Sequence, residues 1–254
     1  MSPTGARWTD AALAGGRRAS AALLDLLLPP RCLACGTGVS RQGLLCGDCW
    51  SAVTFIAEPL CDCCGLPFEL GTVPGSLCAG CSARRPAFDR ARAAVVYDDG
   101  SRDLILRLKH ADATENAATL AAWMLRAGRD LVEPCDLVAP VPLHWRRLIA
   151  RRYNQSALLA RAVAREAGKP WMPDLLVRRR ATPSQGGLSA VGRRRNLAGA
   201  IAVKDAHRAA IAGRRVLVVD DVHTTGATLD ACASALKRAG AAVDCLTFAR
   251  VLRT

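Results

Sequence analysis

Aromatic residues are scarce in this chain: five Trp, two Tyr and four Phe in 254 residues. That poverty argues against an aromatic-rich β-sandwich, and the abundance of Ala, Leu and Val points instead to helices around a buried sheet. Long hydrophobic runs are also missing. The strongest early one, AALLDLLLPP at 21–30, is too short to span a bilayer and is interrupted by Asp25. It reads as a short amphipathic helix ended by Pro29 and Pro30, with residues 1–30 forming an N-terminal helix or tail. No secretory pattern is visible, so the expectation is a cytoplasmic protein without a membrane span, its thiols reduced. Two common phosphate signatures are absent as well. There is no G-x-x-x-x-G-K-[ST] and no G-x-G-x-x-G.

Acidic residues are lacking in one region in particular. The net charge is +13, yet residues 1–90 hold eight basic and seven acidic side chains. Between Pro140 and Ala200 there are 13 basic residues against Glu166 and Asp174. Such a stretch is either a solvated basic surface or a site for phosphates, on a small ligand or on nucleic acid.

Cysteine, by contrast, is abundant and clustered. Nine of twelve fall between positions 32 and 81. Cys32, Cys35, Cys46 and Cys49 form C-x2-C, ten residues, then C-x2-C; Cys61, Cys64, Cys78 and Cys81 repeat the unit with thirteen residues between the pairs. Two such turns complete a tetrahedron of thiolates around one ion, so the repeat is read as two structural Zn2+ sites. A disulfide framework would call for a secretion signal, and a redox C-x-x-C needs only one pair. Cys63 is left as a spare thiol beside Cys64. Cys135, Cys232 and Cys245, in apolar surroundings, read as buried small hydrophobes. Closed four-thiolate sites leave no open coordination position, which makes residues 31–88 a scaffold or recognition module and not a chemical centre.

From residue 89 to 254 strand-like and helix-like stretches alternate. Strands are expected at 93–98, 136–143, 216–219 and 243–251, and helices at 102–110, 116–128, 154–169 and 226–240. VLVV (216–219) is continuously apolar, as a strand buried on both faces would be. The alternation implies an α/β domain with a mainly parallel sheet flanked by helices, preceded by the small cysteine module. Residues 181–199, rich in small and basic side chains, read as a long loop or flap.

The chemistry points to VLVVDDVHTTGAT, residues 216–228. Ligands of open α/β sheets sit beyond the carboxyl ends of the strands. Thr224, Thr225 and Thr228, the loop N–H groups and the start of the next helix can donate to a phosphate, and Gly226 admits a close backbone approach. The adjacent Asp220 and Asp221 would repel that anion. They make sense facing hydrogen-bond donors such as a sugar diol, or a cation.

This stretch resembles the 5-phosphoribosyl 1-pyrophosphate (PRPP) motif of type I phosphoribosyltransferases. The whole chain resembles the ComF family, a double zinc ribbon joined to such a domain, through the cysteines, LKH (108–110), VPL (141–143), RRYNQ (151–155) and TPSQGGLSAVGRRRNL (182–197). The resemblance implies that Asp220 and Asp221 bind the ribose hydroxyls, that Thr224, Thr225, Gly226, Ala227 and Thr228 wrap the 5′-phosphate, and that Mg2+ accompanies the pyrophosphate. Candidates for the pyrophosphate or substrate are Lys109, Arg151, Asn154, Gln155, Arg193, Arg194 and Arg195. Arg152 stands where that family has glycine, a departure that bears on Arg151 and Asn154. His223 falls at a variable position of the motif and is not read as a catalytic base. The resemblance further implies a link to natural competence and DNA uptake, with single-stranded DNA and competence-machinery proteins as partners. Two activities remain open: phosphoribosyl transfer, or PRPP binding without catalysis in a protein that handles nucleic acid.

Overall fold

The computed structural model describes residues 29–108, 116–143, 153–180, 192, 197 and 199–252. Lys109, Arg151, Arg152, Arg193, Arg194 and Arg195 lie outside the described residues, as do most of the N-terminal tail and of the 181–199 stretch. The chain divides into two compact units, Met1–Trp50 and Ser51–Thr254.

Each unit carries one four-cysteine module, and the two modules repeat each other bond for bond. Cys32 N–H donates to Thr37 O as Cys61 N–H does to Leu66 O, and Gly36 N–H donates to Cys32 O as Gly65 N–H does to Cys61 O. The bridges Arg31–Gly38 and Leu60–Pro67 correspond in the same way. Short helices α1 (Gly47–Ala52) and α2 (Ala79–Ala83) follow the two closing pairs.

The larger unit is built on strands β1 (Arg90–Val96), β2 (Leu137–Pro140), β5 (Arg215–His223) and β6 (Ala242–Arg250), all parallel in the order β1-β6-β5-β2. Helices α3 (Asp99–Leu108), α4 (Asn116–Ala127), α5 (Arg129–Val132), α6 (Gln155–Ala167), α7 (Arg208–Ile211) and α8 (Ala227–Lys237) connect and cover them. Val216 and Val218 of β5 pack in one core with Leu229, Cys232, Ala233 and Leu236 of α8. The pleat turns Leu217 and Val219 to the opposite face, where α6 packs on β5 and β2. Both faces are therefore covered, which is why β5 reads as an unbroken apolar run. Cys135, Cys232 and Cys245 are buried in this apolar interior, as expected.

Two features went beyond the sequence reading. Strands β3 (Leu176–Arg178) and β4 (Ile201–Val203) form a separate antiparallel pair. And β5 does not end at Val219: it continues to His223, because Asp220, Val222 and His223 find register partners Thr247, Ala249 and Arg250 on β6.

The second cysteine module shares the core of the larger unit. Cys61, Cys63, Cys64 and Cys81 belong to the same buried cluster as β5 and α8. Ala91 N–H on β1 donates to Cys63 O at 2.7 Å. Gly65, at φ +69°, lies so close that a Cβ there would meet Ala91 O at 2.5 Å. Among the described residues no helix is long and apolar enough to cross a membrane.

Candidate functional site

The acid pair stands in the second half of β5, toward the carboxyl end of one of the two inner strands of the sheet. Asp220 accepts a hydrogen bond from the Ser156 hydroxyl at 2.7 Å and from its neighbour's N–H at 3.0 Å. Asp221 accepts from Val222 N–H at 2.8 Å. Burial, and next the negative charge of Asp221, push the Asp220 carboxyl up to about 7, while the Ser156 bond pulls the other way. Asp220 thus gains and loses its proton near neutrality.

Beyond His223 the chain makes a turn of Thr224, Thr225 and Gly226 and enters α8 at Ala227. Gly226 has φ +74°, which gives the glycine its place in the motif. A Cβ at this position would also sit 2.8 Å from His223 Nε2. Ala227 and Thr228 form the first helical turn, where N–H groups lack intrahelical partners and favour an anion. The loop and the two acids therefore lie on consecutive pieces of one strand–turn–helix.

Asn154 and Gln155 stand at the start of α6. Asn154 is its N-cap: Oδ1 accepts from Ser156 N–H at 3.1 Å, and Nδ2 donates to Val141 O at 2.9 Å. Its amide thereby locks α6 to the end of β2. Gln155 is buried. Tyr153 anchors the same corner by donating its hydroxyl to Leu108 O at 2.8 Å. The residue that sequence reasoning missed is Ser156, which carries α6 to Asp220. Its only signal was adjacency to the RRYNQ stretch.

Both cysteine groups are arranged to hold a metal. In each, four sulfurs lie within 4.8 Å of one another. Cys35 and Cys46 Sγ are 3.7 Å apart, and Cys64 and Cys78 Sγ are 3.6 Å apart. Disulfide sulfurs lie near 2.05 Å, whereas a tetrahedron of Zn–S bonds has edges of about 3.8 Å. Backbone N–H groups donate to Cys32 Sγ (from Cys46, 3.3 Å) and to Cys61 Sγ (from Cys78, 3.2 Å), the outer support that thiolates need. Burial opposes ionisation of Cys32, but the N–H groups of Cys35, Cys46 and Ala34 prevail and bring its thiol down to about 6; burial is likewise outweighed at Cys61 by the N–H groups of Cys64 and Cys78, which bring it to about 7. The residues fit structural zinc. Cys63, though buried, is outside the converging set.

A cavity of about 300 Å³ lies between the second cysteine group and the turn after β5, with Cys64, Cys81, Arg84, His223, Thr225 and Arg250 in its wall.

Comparison with known proteins agrees with both modules. The double zinc ribbon domain family matches residues 23–82, and the phosphoribosyl transferase domain family matches residues 154–253. The chain is 34% identical over 204 residues to the DNA utilization protein YhgH of Escherichia coli (strain K12), covering 78% of this chain and 86% of that one. It is 30% identical over 217 residues to competence protein F of Haemophilus influenzae, covering 83% and 92%. Among solved structures, orotate phosphoribosyltransferase from Aeropyrum pernix is 20% identical with a TM-score of 0.32, covering 62% of this chain and 80% of that one. With relatives that match along most of both chains, and with both domain families in the same order, the protein belongs to the ComF family: a double zinc ribbon followed by a domain of type I phosphoribosyltransferase fold.

Proposed function

We propose that the chain binds PRPP with Mg2+ at Asp220–Thr228 and acts as a phosphoribosyltransferase-type protein in competence-linked handling of DNA. The observation that carries this reading is the Ser156-supported acid pair at the end of β5, followed at once by the positive-φ turn of Gly226 and the start of α8. A diol-binding acceptor and an anion-binding turn in sequence fit a ribose 5-phosphate head. Asp220 and Asp221 take the ribose hydroxyls; Thr224, Thr225, Gly226, Ala227 and Thr228 take the 5′-phosphate. Lys109, Arg151 and Arg193, Arg194 and Arg195 are the proposed partners of the pyrophosphate, through charge-assisted hydrogen bonds. Transfer would need the sugar held, the leaving group neutralised and water excluded, with no covalent bond to the protein. Eight cysteines set to hold zinc as thiolates suit a reducing compartment, so the proposed location is the cytoplasm.

The test is pyrophosphate release from PRPP against a panel of bases. Turnover with one of them supports transfer; none, with PRPP still bound, leaves a binding protein. Asp221→Ala should weaken PRPP binding tenfold or more; unchanged affinity would remove the site assignment. The second reading, PRPP binding without catalysis in a nucleic-acid protein, is favoured by the 13 basic residues between Pro140 and Ala200 and by the relatives named for DNA utilization and competence. If that segment contacts six phosphates of single-stranded DNA, log affinity should fall with log salt at a slope of about −4. A flat response would remove it.

A further inference from the structure

Arg250 ends β6 with 8% of its surface exposed, and among the described residues no carboxylate pairs with its charge. A buried guanidinium needs a counter-charge. Here it faces the second cysteine group. Nη1 donates to Cys64 O at 2.6 Å and Nη2 to Cys64 Sγ at 3.4 Å. Four thiolates and one Zn2+ carry a net −2, so the metal-bound group is the missing counter-charge.

The same guanidinium reaches the anion turn. Arg250 Nη1 lies 3.2 Å from His223 Nδ1. Arginine only donates, so Nδ1 must accept and the imidazole proton sits on Nε2. The ring is held on two further sides. Phe88 meets it edge-on, centroids 6.2 Å apart at 89°. Gly226 lies so close to Nε2 that no side chain fits between them. His223 and Arg250 are register partners on β5 and β6, so the contact is built into the sheet.

We propose that Arg250 is a positioning residue that couples the second zinc ribbon to the anion turn: the Cys64 thiolate holds the guanidinium, the guanidinium fixes His223 as its Nε2–H tautomer, and the fixed ring sets the Gly226 turn that opens α8. The assignment of that turn to a phosphate rests on the function proposed above; the coupling itself does not. It explains why a module with no open coordination site packs against the carboxyl ends of β5 and β6. There it stiffens the loop that must present N–H groups to an anion.

The decisive measurement needs no variant. The imidazole 15N shifts of His223 in the zinc-loaded full-length chain at pH 8 should show the Nε2–H tautomer; an Nδ1–H ring would overturn the proposal. Arg250→Met should keep two zinc ions per chain, shift those resonances toward a tautomer mixture, speed amide exchange at Thr224–Thr228 about tenfold and weaken PRPP binding about tenfold. Arg250→Lys, which keeps the charge without the fork, should restore part of the exchange protection. Should Arg250→Met not fold, His223→Gln serves from the loop side, with zinc retained and the same amides exchanging faster. Unchanged exchange in whichever variant folds overturns the coupling. Absence of PRPP binding in the wild type would count against the proposed function alone, since the nitrogen shifts and exchange rates are read without PRPP.

Discussion

At the residue scale, Asp220 is costly to ionise. Its carboxyl is pushed up to about 7, first by burial and then by Asp221, while Ser156 and the Asp221 N–H offset part of that. The folded value lies above that of an unfolded aspartate, so the native state holds more protons than the unfolded chain from about pH 4 to about pH 7. The group's contribution to stability is fully present below that window and is lost as pH rises through 7. Asp220→Asn keeps an acceptor for Ser156 and cannot ionise. Its stability relative to wild type should therefore rise by about 1 kcal/mol between pH 6 and pH 8. Denaturant unfolding of both proteins at the two pH values checks this, because contributions common to both cancel in the difference. A difference that is the same at both pH values would show that Asp220 ionises without cost. The same carboxylate, as an acceptor for ribose hydroxyls, should bind PRPP more tightly at pH 8 than at pH 6, and that gain should vanish in Asp220→Asn.

At the scale of elements, two glycines with positive φ separate backbone strain from close approach. Gly168 closes α6 in the left-handed region at φ +63°, and a Cβ there meets nothing within 4 Å. Gly226 opens α8 at φ +74°, and a Cβ there collides with His223. Gly168→Ala should cost about 1 kcal/mol and leave ligand binding alone. Gly226→Ala should cost more, about 2–3 kcal/mol, and impair PRPP binding as well. Unfolding and calorimetry on the pair decide it; equal effects would mean that His223 yields freely. These elements also show what a sequence discloses. Helices at 154–169 and 226–240 were legible because their apolar spacing and terminal glycines are local signals. The acid–turn motif was legible because its residue types are unusual together. The last four residues of β5 were not, since a strand that leaves its apolar run is held only by pairing with residues near 250. Nor were β3 and β4, three residues each, or the Ser156–Asp220 bond, which joins groups far apart in the chain. The same holds for Arg250, whose arginine code says nothing of a sulfur on a distant module.

At the scale of the whole molecule, the two cysteine groups share their chemistry but differ in setting. In the first, Cys35 is exposed and Cys46 and Cys49 are half-buried. In the second, Cys61, Cys64 and Cys81 are buried, and they lie in the cluster that also holds β5 and α8. The first belongs to the Met1–Trp50 unit and the second to the unit that contains the sheet. A chelator must reach its metal, and the protein must open to let it in, so the opening free energy sets the rate. Zinc should therefore leave in two steps. A fast step, one ion per chain, should come from Cys32, Cys35, Cys46 and Cys49 and leave the unfolding transition of the larger unit in place. The slow step should follow opening of the larger unit, accelerate with denaturant, and lower that unit's stability by several kcal/mol, as loss of a structural metal does. A zinc-sensitive dye, read beside far-UV circular dichroism, resolves the two. Cys49→Ser should abolish the fast step alone, and Cys81→Ser the slow one alone. If both ions leave at one rate, burial in the shared core does not protect the second site, and the two ribbons act as equivalent staples despite their different surroundings.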